Sequence, residues 1–201
     1  MFVHRWMTTQ VVSIASTALT SEGLYRMENH HIKRLPVVDE ARLVGIVHRN
    51  DLIRILFLQK EDPPLGEVMV KEVITISPDA ALEEAALLME EHHIASLPVV
   101  DDLRLAGIIT ESDLFKAFVQ VMGLLEGGQR VTLRVKDRPG ALIQALEPIR
   151  SHEVNIISVT SCKVPGGPRG TKEVTLRLQT RELSMLVSDL LKHRVDVVDW
   201  R

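Results

Sequence analysis

The sequence predicts an α+β fold in two parts: a pair of copies of one small unit related by a pseudo-twofold axis, then a ferredoxin-like βαββαβ domain. Three observations predict it. Met7 to Leu52 lies over Met69 to Leu114 without a gap, at an offset of 62 residues, with 21 of 46 pairs identical. A constant offset of this kind means one supersecondary unit used twice. A glycine cluster at Gly123 and Gly127-Gly128 then ends the repeated region. Behind it, the apolar spacing reads strand, helix, strand, strand, helix, strand. The boundaries so drawn are 1–62 and 63–122 for the copies, 123–128 for a linker and 129–201 for the last domain.

Within the second copy, Val73-Ile74-Thr75-Ile76 predicts a short β-branched strand. Ser77-Pro78-Asp79 predicts a helix start, with Ser as N-cap and Pro at the first helical position. Leu82, Ala85, Ala86 and Met89 form the apolar stripe of that helix. Leu97-Pro98-Val99-Val100 is a strand, turned by Asp101-Asp102 into Leu105 to Ile109. A further helix starts near Thr110 and carries Leu114, Phe115, Phe118 and Val119. The first copy reads the same way with weaker helix chemistry, and Asp62-Pro63-Pro64-Leu65-Gly66 separates the two.

In the last domain Val131, Leu133 and Val135 alternate as a strand, and Asp137-Arg138-Pro139-Gly140 turns the chain with Asp137 as the N-cap of the next helix. Leu142, Ile143, Leu146 and Ile149 give that helix its apolar face. Val154 to Val159 and Val174 to Leu178 follow as strands around the loop Pro165 to Pro168. Leu183, Leu186, Val187, Leu190 and Leu191 mark a second helix, and Val195 to Trp200 a last strand. A unit of ~73 residues has little core of its own and an open sheet edge, which favours pairing with a second copy.

Composition narrows the function. Net charge is −3, but residues 1–64 hold 8 basic and 7 acidic groups, residues 65–128 hold 3 and 12, and residues 129–201 hold 13 and 8. Aromatics are 3% and no basic patch interleaves with them, so nucleic acid is not an expected partner. No run approaches the ~20 apolar residues of a membrane span. The one cysteine, Cys162, excludes an internal disulfide, and the N-terminus lacks an apolar signal core; both point to the cytoplasm. No phosphate-binding glycine loop, nucleophile elbow or zinc-protease motif occurs, so an enzyme is not expected. Adjacent His92 and His93 point about 100° apart on a helix and do not chelate one ion, so no metal is expected.

The doubled Leu-Pro-Val-Val-Asp, followed in the second copy by Gly107-Ile108-Ile109-Thr110-Glu111-Ser112-Asp113, closely resembles a tandem pair of CBS domains, the Bateman module. Asp137-Arg138-Pro139-Gly140-Ala141-Leu142 in a βαββαβ pattern resembles an ACT domain. The arrangement is similar to the acetoin-utilisation proteins that join a CBS pair to an ACT domain. The resemblance implies a non-catalytic regulatory protein. It would sense an adenine nucleotide (AMP, ADP or ATP) or S-adenosylmethionine in the CBS pair, with no obligatory cofactor. It would act as a homodimer on a regulated partner protein, in acetoin or related carbon metabolism. A constitutive dimerisation or interaction module with degenerate ligand sites is the alternative.

The site residues follow from the same resemblance. Thr110 and Asp113 match the Thr/Ser-x-x-Asp that contacts phosphate and ribose, and a carboxylate suits a vicinal diol near a helix N-terminus. The same pair also suits a capping box. The first copy holds His48 and Asp51 there, keeping the carboxylate without the hydroxyl. Ala95, Ser96, Leu97 and Pro98, and Lys33, Arg34, Leu35 and Pro36 in the first copy, match the adenine pocket, with Thr75 and Ser13 on the preceding strands. Lys33, Arg34 and Arg49 are candidate phosphate partners, since they give charge-assisted hydrogen bonds. At the ACT domain the resemblance implies an amino acid held by Asp137, Arg138, Gly140, Ala141, Asn155 and Ile156 between two paired domains.

Overall fold

The repeated valine-rich segments and the Gly-Ile segments that follow them form two β-hairpins. They comprise β1 (Arg34–Asp39) with β2 (Arg42–His48), and β3 (Ser96–Asp101) with β4 (Arg104–Thr110). Glu40-Ala41 and Asp102-Leu103 close them with positive φ at all four residues, the backbone of a two-residue primed turn that matches strand twist. The computed structural model describes residues 1–201, the Gln59 side chain aside, in two units, Met1–Phe115 and Lys116–Arg201.

In the first unit the sheet order is β1-β2-β4-β3. The hairpins meet at Arg42 opposite Arg104. Leu43 donates to the Leu103 carbonyl at 3.2 Å and Leu105 to the Ala41 carbonyl at 3.1 Å. These positions are related by the 62-residue offset, so the pseudo-twofold axis passes between the two arginines. Each hairpin is followed by a helix: α2 (Arg49–Ile53), extended by a π-helical turn over Arg54–Gln59, in the first copy, and α5 (Glu111–Val121) in the second. Each is preceded by one: α1 (Thr20–Asn29) and α4 (Leu82–Glu91). A short α3 (Leu65–Val68) opens the second copy.

The copies exchange their leading segments. Thr8 and Ile108 share two backbone hydrogen bonds of 2.9 Å; Val70 and Ile46 share two of 2.9 and 3.0 Å. Likewise Val3 donates to Ala80 at 3.0 Å and Leu65 to Ala18 at 2.8 Å. Leu65, from the second copy, is therefore fully buried in the first copy's core with Met27, Leu35, Val37 and Leu52. Burying a leucine this completely contributes about 1.5–3 kcal/mol. The exchange explains why Gly45 and Gly107 are both glycine. A Cβ on Gly107 would lie 2.6 Å from the Met7 sulfur and 3.0 Å from the Thr8 carbonyl; one on Gly45 would run into the Met69 sulfur and the Val70 carbonyl.

Several expected elements differ. Val73 to Ile76 is a single bridge, Ile76 to Val99, because the segment touches only one strand edge. Ser77-Pro78-Asp79 forms a turn, with Ala80 donating to the Ser77 carbonyl at 3.1 Å, and the helix starts four residues later at Leu82 with Ala81 as N-cap. Ala86 faces solvent, and Phe115 and Phe118 are more than half exposed, while Leu82, Ala85 and Met89 are buried as expected.

In the second unit β5 (Gln129–Lys136), α6 (Ala141–Arg150), β6 (Asn155–Cys162), β7 (Thr171–Gln179), α7 (Leu183–Lys192) and β8 (Asp196–Trp200) follow the expected βαββαβ order. The sheet runs β6-β7-β5-β8 with antiparallel neighbours. Val131, Leu133, Val135, Val174, Leu176 and Leu178 point to one face, where Ala145, Ile149, Leu186 and Leu190 of the helices cover them. Ile143 and Leu191, expected inside, are exposed. Asp137 is not the N-cap of α6. Gly140 takes that place at φ 78°, and the Asp137 carboxylate bridges Lys163 at 3.2 Å and Lys172 at 3.4 Å. The two lysines hold its pKa below the usual aspartate value.

Candidate functional site

The repeated His-His-Ile ends each leading helix. His31 and His93 take φ of 52° and 54°, and Ile32 and Ile94 donate back to the carbonyls of Met27 and Met89 at 2.9 and 3.0 Å. This left-handed stop aims the chain into β1 and β3, whose prolines, Pro36 and Pro98, lie on the two edge strands, where a missing N–H breaks no ladder.

A cleft of about 500 Å3 opens where the first copy's stop meets the exchanged segment. One wall is Thr8, Gln10, Val11 and Val12. The second is the run from His30 to Arg34, with Pro36. The third comes from the second copy: Ala95 and Ser96 at the start of β3, and Ile108, Thr110 and Ser112 where β4 passes into α5. Both copies thus build one cavity. None of its lining residues is a carboxylate, and four are basic or histidine: His30, His31, Lys33 and Arg34. Two buried polar atoms on these lining residues have no hydrogen-bond partner among the described residues: Arg34 Nε and Ser96 Oγ. Ser96 is only 7% exposed. A buried hydroxyl or guanidinium nitrogen left this way costs about 1–3 kcal/mol unless a ligand or water meets it.

The sequence-derived residues divide around this cleft. Lys33, Arg34, Pro36, Ala95, Ser96 and Thr110 line it. Asp113 lies behind, 6% exposed, its Oδ2 accepting the Thr110 hydroxyl at 2.7 Å and the Thr110 N–H at 3.1 Å. The Asp113 N–H donates back to the Thr110 hydroxyl at 3.3 Å, which completes a reciprocal cap on α5. Leu97 and Pro98 are buried in the core. Ser13 lines a different, open groove of about 1040 Å3 beside α1, where its carbonyl accepts Arg26 at 2.6 Å. Thr75 is exposed and does not line the cleft. Arg49 pairs with Glu28 at 3.1 Å and Asp51 with Arg54 at 3.3 Å, both at the surface outside it.

His48 is the cross-strand partner of Arg34 and the uncapped start of α2. Burial first, and the Arg34 charge second, lower its pKa, with Asp51 opposing. The twofold-related pair in the second copy is Ser96 and Thr110. Sequence reasoning missed Thr8, Gln10, His30, His31 and Ser112. The doubling of His-His-Ile is a signal for the histidines, and Ser112 sits inside the Thr110–Asp113 motif, but Thr8 and Gln10 reach the cleft only through the tertiary exchange of segments.

At the other unit, Asp137, Arg138 and Gly140 line a surface hollow of about 430 Å3 with Lys172, and Ala141 is buried at the start of α6. Asn155 pairs with Gln179, at the opposite end of the sheet from Lys136, which pairs with Thr171. Within one chain the two halves of the expected amino-acid site are therefore apart. Among the described residues no group of three or more His, Cys, Asp or Glu side chains could hold a metal ion, and no helix is long and apolar enough to cross a membrane.

The family model for the CBS domain matches residues 3–58 and 65–120, and that for the TTHA0829-like ACT domain matches residues 127–201. The CBS domain-containing protein YhcV of Bacillus subtilis is 34% identical over 110 residues, 54% of this chain and 79% of its own. A Vibrio cholerae structure named as an acetoin utilization protein (AcuB) is 33% identical, with a TM-score of 0.58 over 63% of this chain and 98% of that one. The CBS domain pair of protein MJ0100, in complex with 5′-methylthioadenosine and S-adenosyl-L-methionine, is 30% identical, with a TM-score of 0.54 over 60% of this chain and 97% of that one. CBSX2 in complex with AMP is 27% identical, with a TM-score of 0.55 over 60% and 97%. The chain spans about a fifth of the length of the curated relatives named as enzymes: 18%, 23% and 21% for three of them.

Proposed function

Since the chain belongs to the CBS-domain family and carries a TTHA0829-like ACT domain behind the repeat pair, we propose that it is a non-catalytic regulatory sensor of an adenine nucleotide or adenosyl compound. The observation that carries this reading is the cleft to which both copies contribute, with Arg34 Nε and Ser96 Oγ buried in its walls and unsatisfied. In this reading the CBS units are 1–62 and 63–122, and the ligand seats mainly on the second copy. Ala95 and Ser96 frame its base, backed by the buried Leu97 and Pro98, with Thr110 at its ribose or phosphate and Asp113 supporting Thr110 from behind. Lys33 and Arg34 supply positive charge from the first copy, and Thr75, Ser13, Pro36, His48, Arg49 and Asp51 have supporting or vestigial roles. The twofold-related positions hold Glu72 in place of Gln10 and His48 in place of Thr110, which favours one working site over two.

Binding shifts an equilibrium that the ACT domain or a partner protein reads, and only to the extent of the ligand's differential affinity for the two states. The regulated process is acetoin or related carbon metabolism, in the cytoplasm, with the chain as a homodimer. An amino acid at the ACT domain would then be met by the Asp137 turn of one copy and Asn155-Ile156 of the other, joined across residues 129–201. Linker residues 123–128 connect the two modules.

Thermal unfolding with AMP, ADP, ATP and S-adenosylmethionine tests the sensor. A ligand at 100 times its Kd stabilises by about 2.7 kcal/mol. At least one of the four is expected to do so; no shift with any of them removes the reading. A second reading, a constitutive interaction module, is favoured by one observation: Asp113 already spends Oδ2 on Thr110. A null result with all four ligands would select it.

A further inference from the structure

A separate cavity of about 410 Å3 opens at one end of the second unit, between the β5–α6 loop and the α7–β8 turn. Its wall carries Arg134, Lys136, Arg138, His193 and Arg194 against one carboxylate, Asp196. Arg134 is already engaged by Glu173 at 3.1 Å and by Asp196 at 3.4 Å. Lys136, Arg138 and Arg194 make no ion pair among the described residues. Arg138 is nevertheless held in place, because its guanidinium donates to Gln144 Oε1, another lining residue, at 2.9 Å. The buried side chains of Val135, Ala141 and Ala145 supply an apolar floor.

The two helix ends at this cavity are not equivalent. The last carbonyls of α7 are consumed by backbone donors. His193 donates to Asp189 at 3.1 Å, Arg194 to Leu191 at 3.0 Å and Val195 to Leu190 at 3.0 Å. Of the first residues of α6 only Ala141 lines this cavity, and its N–H donates to the Arg138 carbonyl at 3.3 Å, while Gly140, Leu142 and Ile143 line the neighbouring hollow. The negative helix end is thus largely closed at this cavity, where three cations lack counter-charges. Arg134 is answered by Glu173 and Asp196 and His193 by Asp189, which leaves Lys136, Arg138 and Arg194 around a hollow of ligand size without a carboxylate partner among the described residues.

We propose that this cavity binds a small organic anion carrying two or more negative charges, as phosphate or carboxylate, within a single chain. It is separate from the adenosine cleft, and although it shares Arg138 and Ala141 with the amino-acid site it needs no Asn155 from a second copy. Arg138 and Arg194 clamp the charged groups, Lys136 adds a third contact, and the apolar floor takes the carbon skeleton. Guanidinium groups suit both chemistries because they bind carboxylate and phosphate in the same forked geometry.

The test uses the full chain, labelled with nitrogen-15 and titrated separately with citrate and with pyrophosphate at constant ionic strength. Saturable amide shifts are expected at Lys136, Ala141, Ala145, Arg194 and Val195. Lys136→Gln and Arg194→Asn should each weaken binding about tenfold, the loss of one charge-assisted contact. Both residues are exposed, and asparagine accepts the left-handed φ of 59° at position 194, so the variants should keep the parent spectrum. Arg34→Ala, in the adenosine cleft, should leave this binding unchanged. Response to citrate alone assigns carboxylate chemistry, and to pyrophosphate alone phosphate chemistry. Shifts that fail to saturate, that spread over every basic surface, or that persist unweakened in both variants overturn the site. Because the adenosine cleft is probed by other ligands, its failure would leave this result standing.

Discussion

The two copies of the repeat share a scaffold and differ in their polar chemistry. Gly45 and Gly107 are both glycine because equivalent methionines, Met69 and Met7, cross them. His31 and His93 stop the same helix with the same backbone. Where no packing demand acts, the copies diverge. The cross-strand pair is Arg34 and His48 in one, Ser96 and Thr110 in the other. Asp113 caps its helix through Thr110, while Asp51 only meets Arg54 at the surface. Asp39 accepts the Ser16 hydroxyl at 2.7 Å and its N–H at 3.1 Å, while the position matching Ser16 in the second copy is Pro78. Identity between copies therefore reports shape, and difference reports the division of chemical labour.

The largest effect should come from the shared scaffold. Gly45→Ala and Gly107→Ala each force a Cβ into a methionine sulfur and a carbonyl of the exchanged segment. Each should destabilise by about 1–3 kcal/mol in urea unfolding, the usual cost of overpacking. Similar losses are expected at both; an effect at one alone would break the twofold equivalence of the segments.

The next effect separates the copies. Asp113→Ala removes a reciprocal cap from a buried position and should cost about 1 kcal/mol. Asp51→Ala removes an exposed pair and should cost less than about 0.5 kcal/mol. Nucleotide binding should fall further in the first variant than in the second. Equal losses in both stability and affinity would count against ranking the second copy as the better site.

His48 gives a smaller, pH-dependent contrast. Its pKa is lowered in the folded chain, so the unfolded chain takes up the proton first as pH falls. Its contribution is fully present above the ordinary histidine value and is lost as pH drops below about 6.5. His48→Thr, which copies the second repeat, should flatten the stability profile between neutral pH and the folded-state pKa. An unchanged slope would show that His48 titrates normally. The smallest effect is at Asp39. Its pKa is lowered by the Ser16 hydrogen bonds, so the support it gives is present above the ordinary aspartate value and fades as pH falls through the folded one. Ser16→Ala should move the Asp39 carboxyl titration upward, as read by carbon-13 chemical shifts.

Much of the fold was legible because it rests on local periodicity. Val131, Leu133 and Val135 alternate, and all three are buried. The 62-residue repeat by itself implies the two hairpins and the twofold axis. The misreadings have specific causes. Ser77-Pro78-Asp79 has the chemistry of a helix start, but Ile76 must bridge to Val99 and Leu82 must reach the Met1 carbonyl at 2.8 Å, so the turn spends four residues before the helix begins. Asp137 resembles an N-cap, yet two lysines capture it. Half of the cleft was legible from the motif around Ser96 and Thr110. The wall from Thr8 to Val12 was not, since nothing local in Thr8 says that it pairs with Ile108, a hundred residues away. Ser13 and Thr75 were placed by analogy of strand position, and the leading segments are too irregular for that analogy to carry a side-chain direction.

In the proposed sensor two unequal copies build one adenosine-binding cleft. Isothermal titration of the full chain with AMP, ADP, ATP and S-adenosylmethionine tests it most directly, with Arg34→Ala and Ser96→Val as paired variants. One ligand per chain is expected for at least one of the four compounds, with affinity lost in both variants although they lie in different copies. Two equivalent sites per chain, or tight binding that only one of the two variants disturbs, would contradict it.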